Sequence, residues 1–549
     1  MCGIFFSDNC NNEILNELIL NFNKIQHRGP DKSVYILKNN KFLGFHRLAI
    51  NGLDNLSDQP FSYNGIYLIC NGEIYNYKNI SNLYNIKLDT NSDCEIIIKL
   101  YINFGIDMTM ELIDGEFAFI LYDSNKNLTY IARDHLGIRG LYYGKGQNGN
   151  SNVFASELKA LTNCKDIIQF PPANYAVINY NNLNNHIEYI NYYNYNVIPP
   201  ILNDENYILK NIKRKLEDAI KIRIENSDVE VGCLLSGGLD SSLIASIASK
   251  YYKELYNKKI KTFSIGLKGS QDLKYAKMVA DFIDSEHYTI ICDDNEFLDA
   301  IEDTIYTIGS YDITTVRASV GHRLVAKFVA NNTNVKVLFT GETADEYGSY
   351  AYFVNAENED VYHKESLRLL NDIHFFDGLR GDRCISAAGL EARVPFADRK
   401  FLEFYLSIIP SLKMFGNNFN NRMEKYLIRK AFDDGKTLPN EVLWRKKDGF
   451  SDSVSGKTKT WYEIIEDFVN QIITDEVFIE LSQNYSHNKP KTKEALFYRS
   501  VFENKYGINN SHIIPYFWMP KWSGDLTNPS GRIISNNIHN NNSIININN

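Results

Sequence analysis

Val229-Glu230-Val231-Gly232-Cys233-Leu234-Leu235-Ser236-Gly237-Gly238-Leu239-Asp240-Ser241-Ser242 decides the architecture of the second half of the chain. Its first half is a short apolar run of the kind that forms a strand buried on both faces, and its end opens a helix near Leu239. Between them, adjacent glycines let the backbone approach a ligand. The helix start offers unpaired N–H groups and the positive end of the helix dipole. Ser236, Ser241 and Ser242 add hydroxyl donors. The result is a phosphate cradle, distinct from the common P-loop because no lysine follows the glycines. Gly-Gly alone would be an ordinary strand-to-helix turn; the whole heptapeptide 236–242 carries the reading.

Downstream, strand and helix alternate: strand 260–266, helix 273–284, strand 287–292, helix 317–330 and strand 335–340, with a helix at 207–224 ahead of the first strand. That rhythm implies an α/β doubly wound parallel sheet with ligands beyond the carboxyl ends of its strands. Upstream, residues 180–206 mix Asn and Tyr with Pro199-Pro200 and read as a connection. Before them, short β-rich runs such as 65–70 and 117–122 are punctuated by the turn signals Asn71-Gly72 and Asp114-Gly115, with helical candidates at 14–25 and 94–104. The first half is therefore α+β with antiparallel strands. The expected division is a domain at 2–185, a linker at 186–206, a domain at 207–530 and a disordered tail at 536–549, where 8 of 14 residues are Asn.

The 549-residue chain is 44% apolar and 23% charged, which suits a globular protein of several domains. Its 58 Lys and Arg against 67 Asp and Glu give a net charge of −9, with no basic block to bind nucleic acid or an acidic membrane. No apolar stretch approaches the roughly 20 residues of a membrane span, and the N-terminus lacks a basic n-region. A cytoplasmic protein is expected. Eight cysteines without a Cys-x-x-Cys pair predict reduced core thiols and neither a disulfide framework nor a zinc site.

Cys2 is set apart by position. Removal of Met1 would give it both a thiol and a free α-amine, whose ordinary pKa of about 7.7–8.0 suits a general base. One residue then supplies nucleophile and base.

Further motifs accompany Cys2: His27-Arg28-Gly29-Pro30-Asp31, Arg47-Leu48-Ala49-Ile50-Asn51, Asn71-Gly72-Glu73-Ile74-Tyr75-Asn76, Ser92-Asp93, Arg133-Asp134-His135-Leu136-Gly137 and Ala155-Ser156-Glu157-Leu158. Together they resemble a class II glutamine amidotransferase domain, an N-terminal nucleophile (Ntn) hydrolase with stacked antiparallel sheets. The 236–242 loop resembles that of the ATP-pyrophosphatases, and the combination is similar to the glutamine-hydrolysing asparagine synthetases over nearly the whole chain. The resemblance implies that Cys2 attacks the glutamine carboxamide while Asn71 and Gly72 hold the oxyanion. Arg47 would pair the glutamine α-carboxylate, Glu73 and Asp93 its α-ammonium, and Leu48, Ala49, Ile50 and Asn51 would line the same pocket. His27 and Arg28 would shape it.

In the second half, Asp312–Ser319, Ser386–Phe396 and Trp444–Asp452 look like synthetase segments. They imply an ATP site of Leu235, Ser236, Gly237, Gly238, Leu239, Asp240, Ser241, Ser242, Ile265, Thr340, Gly341 and Lys447. Arg317 would lie near aspartate or the phosphates, Asp240 and Asp345 would hold Mg²⁺, and Glu342 would promote aspartyl-AMP formation. The implied reaction is that of a ligase making asparagine from aspartate, ATP and glutamine, with ammonia passing inside the protein; a homodimer stays open. Thr340-Gly341-Glu342-Thr343-Ala344-Asp345-Glu346 departs from the family's Ser-Gly-Glu-Gly-Ser-Asp-Glu, and Thr343 puts a β-branched side chain where glycine would accept φ > 0. Val320-Gly321 stands for the usual Thr-Pro and Gly140 for a usual Pro. Two alternatives remain: a relative adenylating another carboxylate, as β-lactam synthetase does, and a catalytically silent homologue with a binding role.

Overall fold

The computed structural model describes residues 1–182, 187–446, 454–456, 459–522, 524 and 527–530. Lys447 and the 536–549 tail lie outside the described residues.

The first half contains two six-stranded antiparallel sheets. One runs, in spatial order, Lys165–Gln169, Tyr142–Lys145, Asn152–Ala155, Gly3–Ser7, Lys41–Arg47 and Lys32–Lys38. The other runs Ile187–Asn191, Asn174–Asn179, Leu128–Arg133, Gly115–Asp123, Ile66–Ile74 and Phe61–Tyr63. Alternating residues such as Phe6, Phe45, Ile69, Ile120, Ile131 and Phe154 interleave between the sheets. Helix Leu15–Asn23 covers the outside of the first sheet through Phe22 against Phe5 and Phe42. Helix Glu95–Leu112 covers the second and breaks at Gly105 (φ 82°), where the apolar pattern at 94–104 ends.

Two readings of punctuation change. Asn71-Gly72 lies inside strand Ile66–Ile74, and Gly115 opens the strand it pairs with, so neither marks a loop between short runs. Tertiary pairing with residues 115–123 overrides the local turn preference. Ile187–Asn191 is hydrogen-bonded to Asn174–Asn179 as an edge strand, so the connecting run begins at Tyr192.

In the second half, five parallel strands stand in the spatial order Glu286–Cys292, Lys261–Leu267, Val231–Leu234, Val337–Phe339, Glu391–Arg393. Numbered along the chain that is 3-2-1-4-5. The order reverses between Val231–Leu234 and Val337–Phe339, which is where a doubly wound sheet opens its ligand crevice. The fifth strand was not foreseen; it arises from the Ser386–Phe396 segment. No helix among the described residues is long and apolar enough to cross a membrane. All eight cysteines are free, and six are buried.

Candidate active sites

Gly3 pairs with His46, so antiparallel register sets Cys2 beside the end of strand Lys41–Arg47. The Leu48 N–H donates to Cys2 Sγ at 3.4 Å, and Arg28 Nε donates to the Cys2 carbonyl at 2.9 Å. With Met1 in place the chain's amine is buried, donates to Leu390 O at 3.0 Å, and is pulled down to about 5 by burial. Burial likewise pushes the Cys2 thiol up to about 11. With Met1 present, Cys2 carries no free α-amine.

Asn71 is fully buried, and neither Nδ2 nor Oδ1 has a partner. A buried amide left unsatisfied is costly unless a ligand completes it. Gly72 follows at φ 153°, and a Cβ there would meet Glu116 O at 2.2 Å, so no side chain fits. Two acids face this strand. Asp93 accepts from Ile74 N at 2.6 Å and from Asn51 Nδ2 at 3.4 Å, and burial raises it to about 6. Glu73 accepts from Asn51 and pairs with Arg393 at 3.1 Å; burial, then the charges of Glu391 and Asp93, hold it well above the carboxylate range. A cation between Glu73 and Asp93 would relieve that strain of like charges.

Arg47 is already engaged. Its Nη1 donates to Asp58 Oδ1 at 2.5 Å and to Asp54 O at 2.9 Å, and its Nη2 donates to Gly52 O. Asp58 and the carbonyls of Asp54 and Gly52 thus occupy the fork expected for a substrate carboxylate. Leu48 and Ile50 are buried; Ala49 N donates to Asp31 at 2.8 Å, and Ile50 O accepts from Asp228 N at 3.0 Å, which anchors the 48–52 loop on the second half.

The second site is a cavity of about 1860 Å³, open solvent included, at the sheet's switch point. Leu235, Ser236, Gly238, Leu239, Asp240, Ser241, Ile265, Thr340, Gly341, Glu342 and Asp345 all line it. Gly237 (φ 77°) does not; a Cβ there would sit 2.5 Å from Ala276 N, so only glycine lets the loop pack against that helix. Ser242 is buried behind the loop. Ser236 and Ser241 hydroxyls meet at 3.0 Å, and helix Leu239–Tyr256 starts at Gly238 with no side-chain cap, leaving its first N–H groups to a ligand. Gly341 lies so close to this loop that a Cβ would sit 2.8 Å from Ser241 N.

Lys425 bridges the two expected metal carboxylates, contacting Asp240 Oδ2 and Asp345 Oδ1, the latter at 2.6 Å. Burial opposes its charge, but Asp240 and Asp345 hold its pKa above the ordinary lysine value. Asp240 Oδ1 is buried without a partner. Two hard oxygen donors converging on one cation suit Mg²⁺. Glu342 carries Arg380 on Oε2 and lies 3.7 Å from His322 on Oε1. Beyond it, Tyr350 Oη bridges Glu346 at 3.0 Å and Asp377 at 3.1 Å; burial, then mutual charge, raises Glu346 well above the carboxylate range.

Arg317 stands outside this lining. It forks onto Glu494 at 2.8 and 2.5 Å, donates to Asn528 at 2.9 Å, and does not line the cavity. Glu494, from helix Lys493–Tyr506, neutralises it from 177 residues away in sequence, a contact that no local pattern reveals. The cations that do line the cavity include Arg380, Lys425 and Arg445, which the sequence reading did not single out. Lys425 precedes the short helix Tyr426–Ala431 and had no motif to mark it.

One helix joins the sites. Asp377–Ser386 carries Asp377 and Arg380 at the cavity, and Asp382 and Ser386 on Arg28, which holds Cys2. Arg28 is thus a fully buried link between the halves.

Residues 1–213 match the glutamine amidotransferase domain family, and residues 211–360 and 351–526 match the asparagine synthase family. The chain is 37% identical to the asparagine synthetase (glutamine-hydrolyzing) of Gallus gallus over 97% of its own length and 98% of the relative's. It is 36% identical to the Homo sapiens protein of the same description, over 97% and 99%.

Proposed function

The chain belongs to the glutamine-hydrolysing asparagine synthetase family, and we propose on that premise that it makes L-asparagine from L-aspartate, ATP and L-glutamine. In the first site, Cys2, freed of Met1, attacks the glutamine carboxamide, and its new α-amine takes the thiol proton. Asn71 Nδ2 and the Gly72 backbone hold the oxyanion; the unpartnered Asn71 amide supports this. Asp93 and Glu73 hold the α-ammonium. The α-carboxylate takes the place of Asp58 on Arg47. Water then releases glutamate from the thioester.

In the second site, the Ser236–Ser242 loop and the helix start after it hold the ATP phosphates. Asp240 and Asp345 would hold Mg²⁺, which would supply positive charge to the departing pyrophosphate, and Lys425 lies on the same two carboxylates. Aspartate is a zwitterion: Glu346 and Asp377 suit its ammonium and Arg380 its α-carboxylate. Its β-carboxylate attacks the α-phosphorus, pyrophosphate leaves, and β-aspartyl-AMP forms. Ammonia then attacks the acyl carbon; the C–N bond forms, the C–O bond to AMP breaks, and Glu342 accepts the surplus proton.

The observation that supports this reading is that Cys2, through Arg28, and the switch-point cavity, through Asp377 and Arg380, are tied to one buried helix, Asp377–Ser386. Ammonia passes between them inside the protein, since in bulk water near neutral pH it would be protonated and lost. The test is incubation with ATP, Mg²⁺, glutamine and a panel of carboxylates, measuring AMP and amide product. Asparagine formed from aspartate alone among the panel supports the reading; AMP formed with another carboxylate and not aspartate refutes it. With unlabelled glutamine, ¹⁵N-ammonium in the medium should leave the product largely unlabelled if the passage is closed.

A further inference from the structure

Among the described residues, Thr343 is the one β-branched residue with positive φ, at 78°. That region is strained for any residue with a Cβ and more so for a branched one. Its side chain is 2% exposed, and its Oγ1 is buried without a hydrogen-bond partner. The same residue lines the nucleotide cavity, between Glu342 and Asp345 along the chain. A strained backbone and an unsatisfied hydroxyl are two separate penalties, and they fall together on one cavity wall. Neither is relieved inside the protein: the hydroxyl donates to none of Glu342, Asp345 and Glu346, the acids of its own loop. Strained residues persist where the surroundings over-determine them, and they gather at ligand sites.

We propose that Thr343 Oγ1 donates a hydrogen bond to an anionic oxygen of the bound substrates, either a phosphoryl oxygen of ATP or a carboxylate oxygen of aspartate. Lys425 and Arg380 line the same cavity and bring positive charge to it. The inference rests on the reading of the cavity as the adenylation site.

Full-length Thr343→Val, Thr343→Ser and Thr343→Gly proteins are titrated with Mg-ATP and, separately, with aspartate, alongside thermal melts and AMP assays. Thr343→Val keeps the branch and loses the donor, so it should weaken one titrant by roughly tenfold, the amount expected for a hydrogen bond to a charged group. Weakened ATP identifies a phosphoryl oxygen, and weakened aspartate a carboxylate. Thr343→Ser should bind as the parent does. Thr343→Gly relieves the strain, so it should melt higher and yet bind as weakly as Thr343→Val, a pairing that a purely structural role does not produce. If Thr343→Val and Thr343→Gly both bind both titrants normally, the inference is overturned; should Thr343→Val fail to fold, Thr343→Gly decides. Weakened binding in a protein that makes no AMP from aspartate would refute the proposed reaction and leave the inference standing. A parent that binds neither titrant refutes both.

Discussion

Arg28 and Asp382 clasp each other across the two halves of the chain, Nη1 to Oδ2 at 2.9 Å and Nη2 to Oδ1 at 3.2 Å, with neither side chain open to solvent. The same guanidinium holds the Cys2 carbonyl, and the same helix holds Glu342 through Arg380. Cys2 and the loop that carries Glu342 are therefore both tied to the helix Asp377–Ser386.

Asp382→Asn should remove that clasp and leave Arg28 with Glu157 as its remaining carboxylate partner. Breaking a buried pair by deleting one charge costs about 3–5 kcal/mol. Burial alone would raise the Asp382 carboxyl, but Arg28 and then Arg383 outweigh it and hold it near 2. A depressed carboxyl contributes stability above its unfolded pKa, near 4, and loses it as pH falls toward 2. The melting difference between parent and variant should be constant above pH 5 and shrink below pH 4. A difference independent of pH down to 3 would contradict the assignment.

Glutamine affinity should be governed by Asp93, held at about 6 chiefly by burial. It must be ionised to hold an ammonium, so the KM for glutamine should rise as pH drops from 7 to 5, by at most about tenfold per pH unit below 6. For stability the sign is opposite: a raised carboxyl favours the fold below its unfolded pKa, and that gain disappears as pH climbs from about 4 to 6. Glutaminase kinetics of parent and Asp93→Asn across this range provide the check. A parent KM that does not change with pH would remove Asp93 from the pocket.

Cys2→Ala keeps a small residue at position 2, beside the Leu48 N–H, and removes the nucleophile. Glutaminase activity should fall by several orders of magnitude, as for other covalent catalysts. Asparagine synthesis from millimolar ammonium, ATP, Mg²⁺ and aspartate should persist, because the cavity at residues 236–242 is untouched. Glutamine-dependent synthesis surviving the substitution, or ammonia-dependent synthesis lost from a folded protein, would end this division of labour.

Glu342→Gln tests the other site. It is isosteric, retains one oxygen for Arg380, and cannot accept a proton from the incoming ammonia. Glutaminase turnover should be retained while AMP and asparagine formation drop by about 10²-fold or more, the usual weight of a positioned acid–base group. Equal AMP production by the variant would exclude Glu342 from the chemistry.

What the sequence determined by itself was local. An apolar run, a Gly-Gly turn and a helix start are short-range chemistry, so residues 229–242 announced a strand, a turn and a helix of a parallel sheet, and the motif acids Glu73 and Asp93 now meet through Asn51. The tertiary structure decided everything that depends on contact between distant segments. It moved Asn71-Gly72 from a turn into a strand, because residues 115–123 pair with it. It turned Arg317 away from the cavity, because Glu494 lies against it, and brought Lys425 onto Asp240 from 185 residues away. It also placed Thr343 at φ 78°, a strain foreseeable from the loop pattern, and left its hydroxyl unpartnered, which was not. The reason is physical: propensity and capping act within a few residues, whereas the partners of buried charges and hydroxyls are set by which surfaces the packed chain brings together.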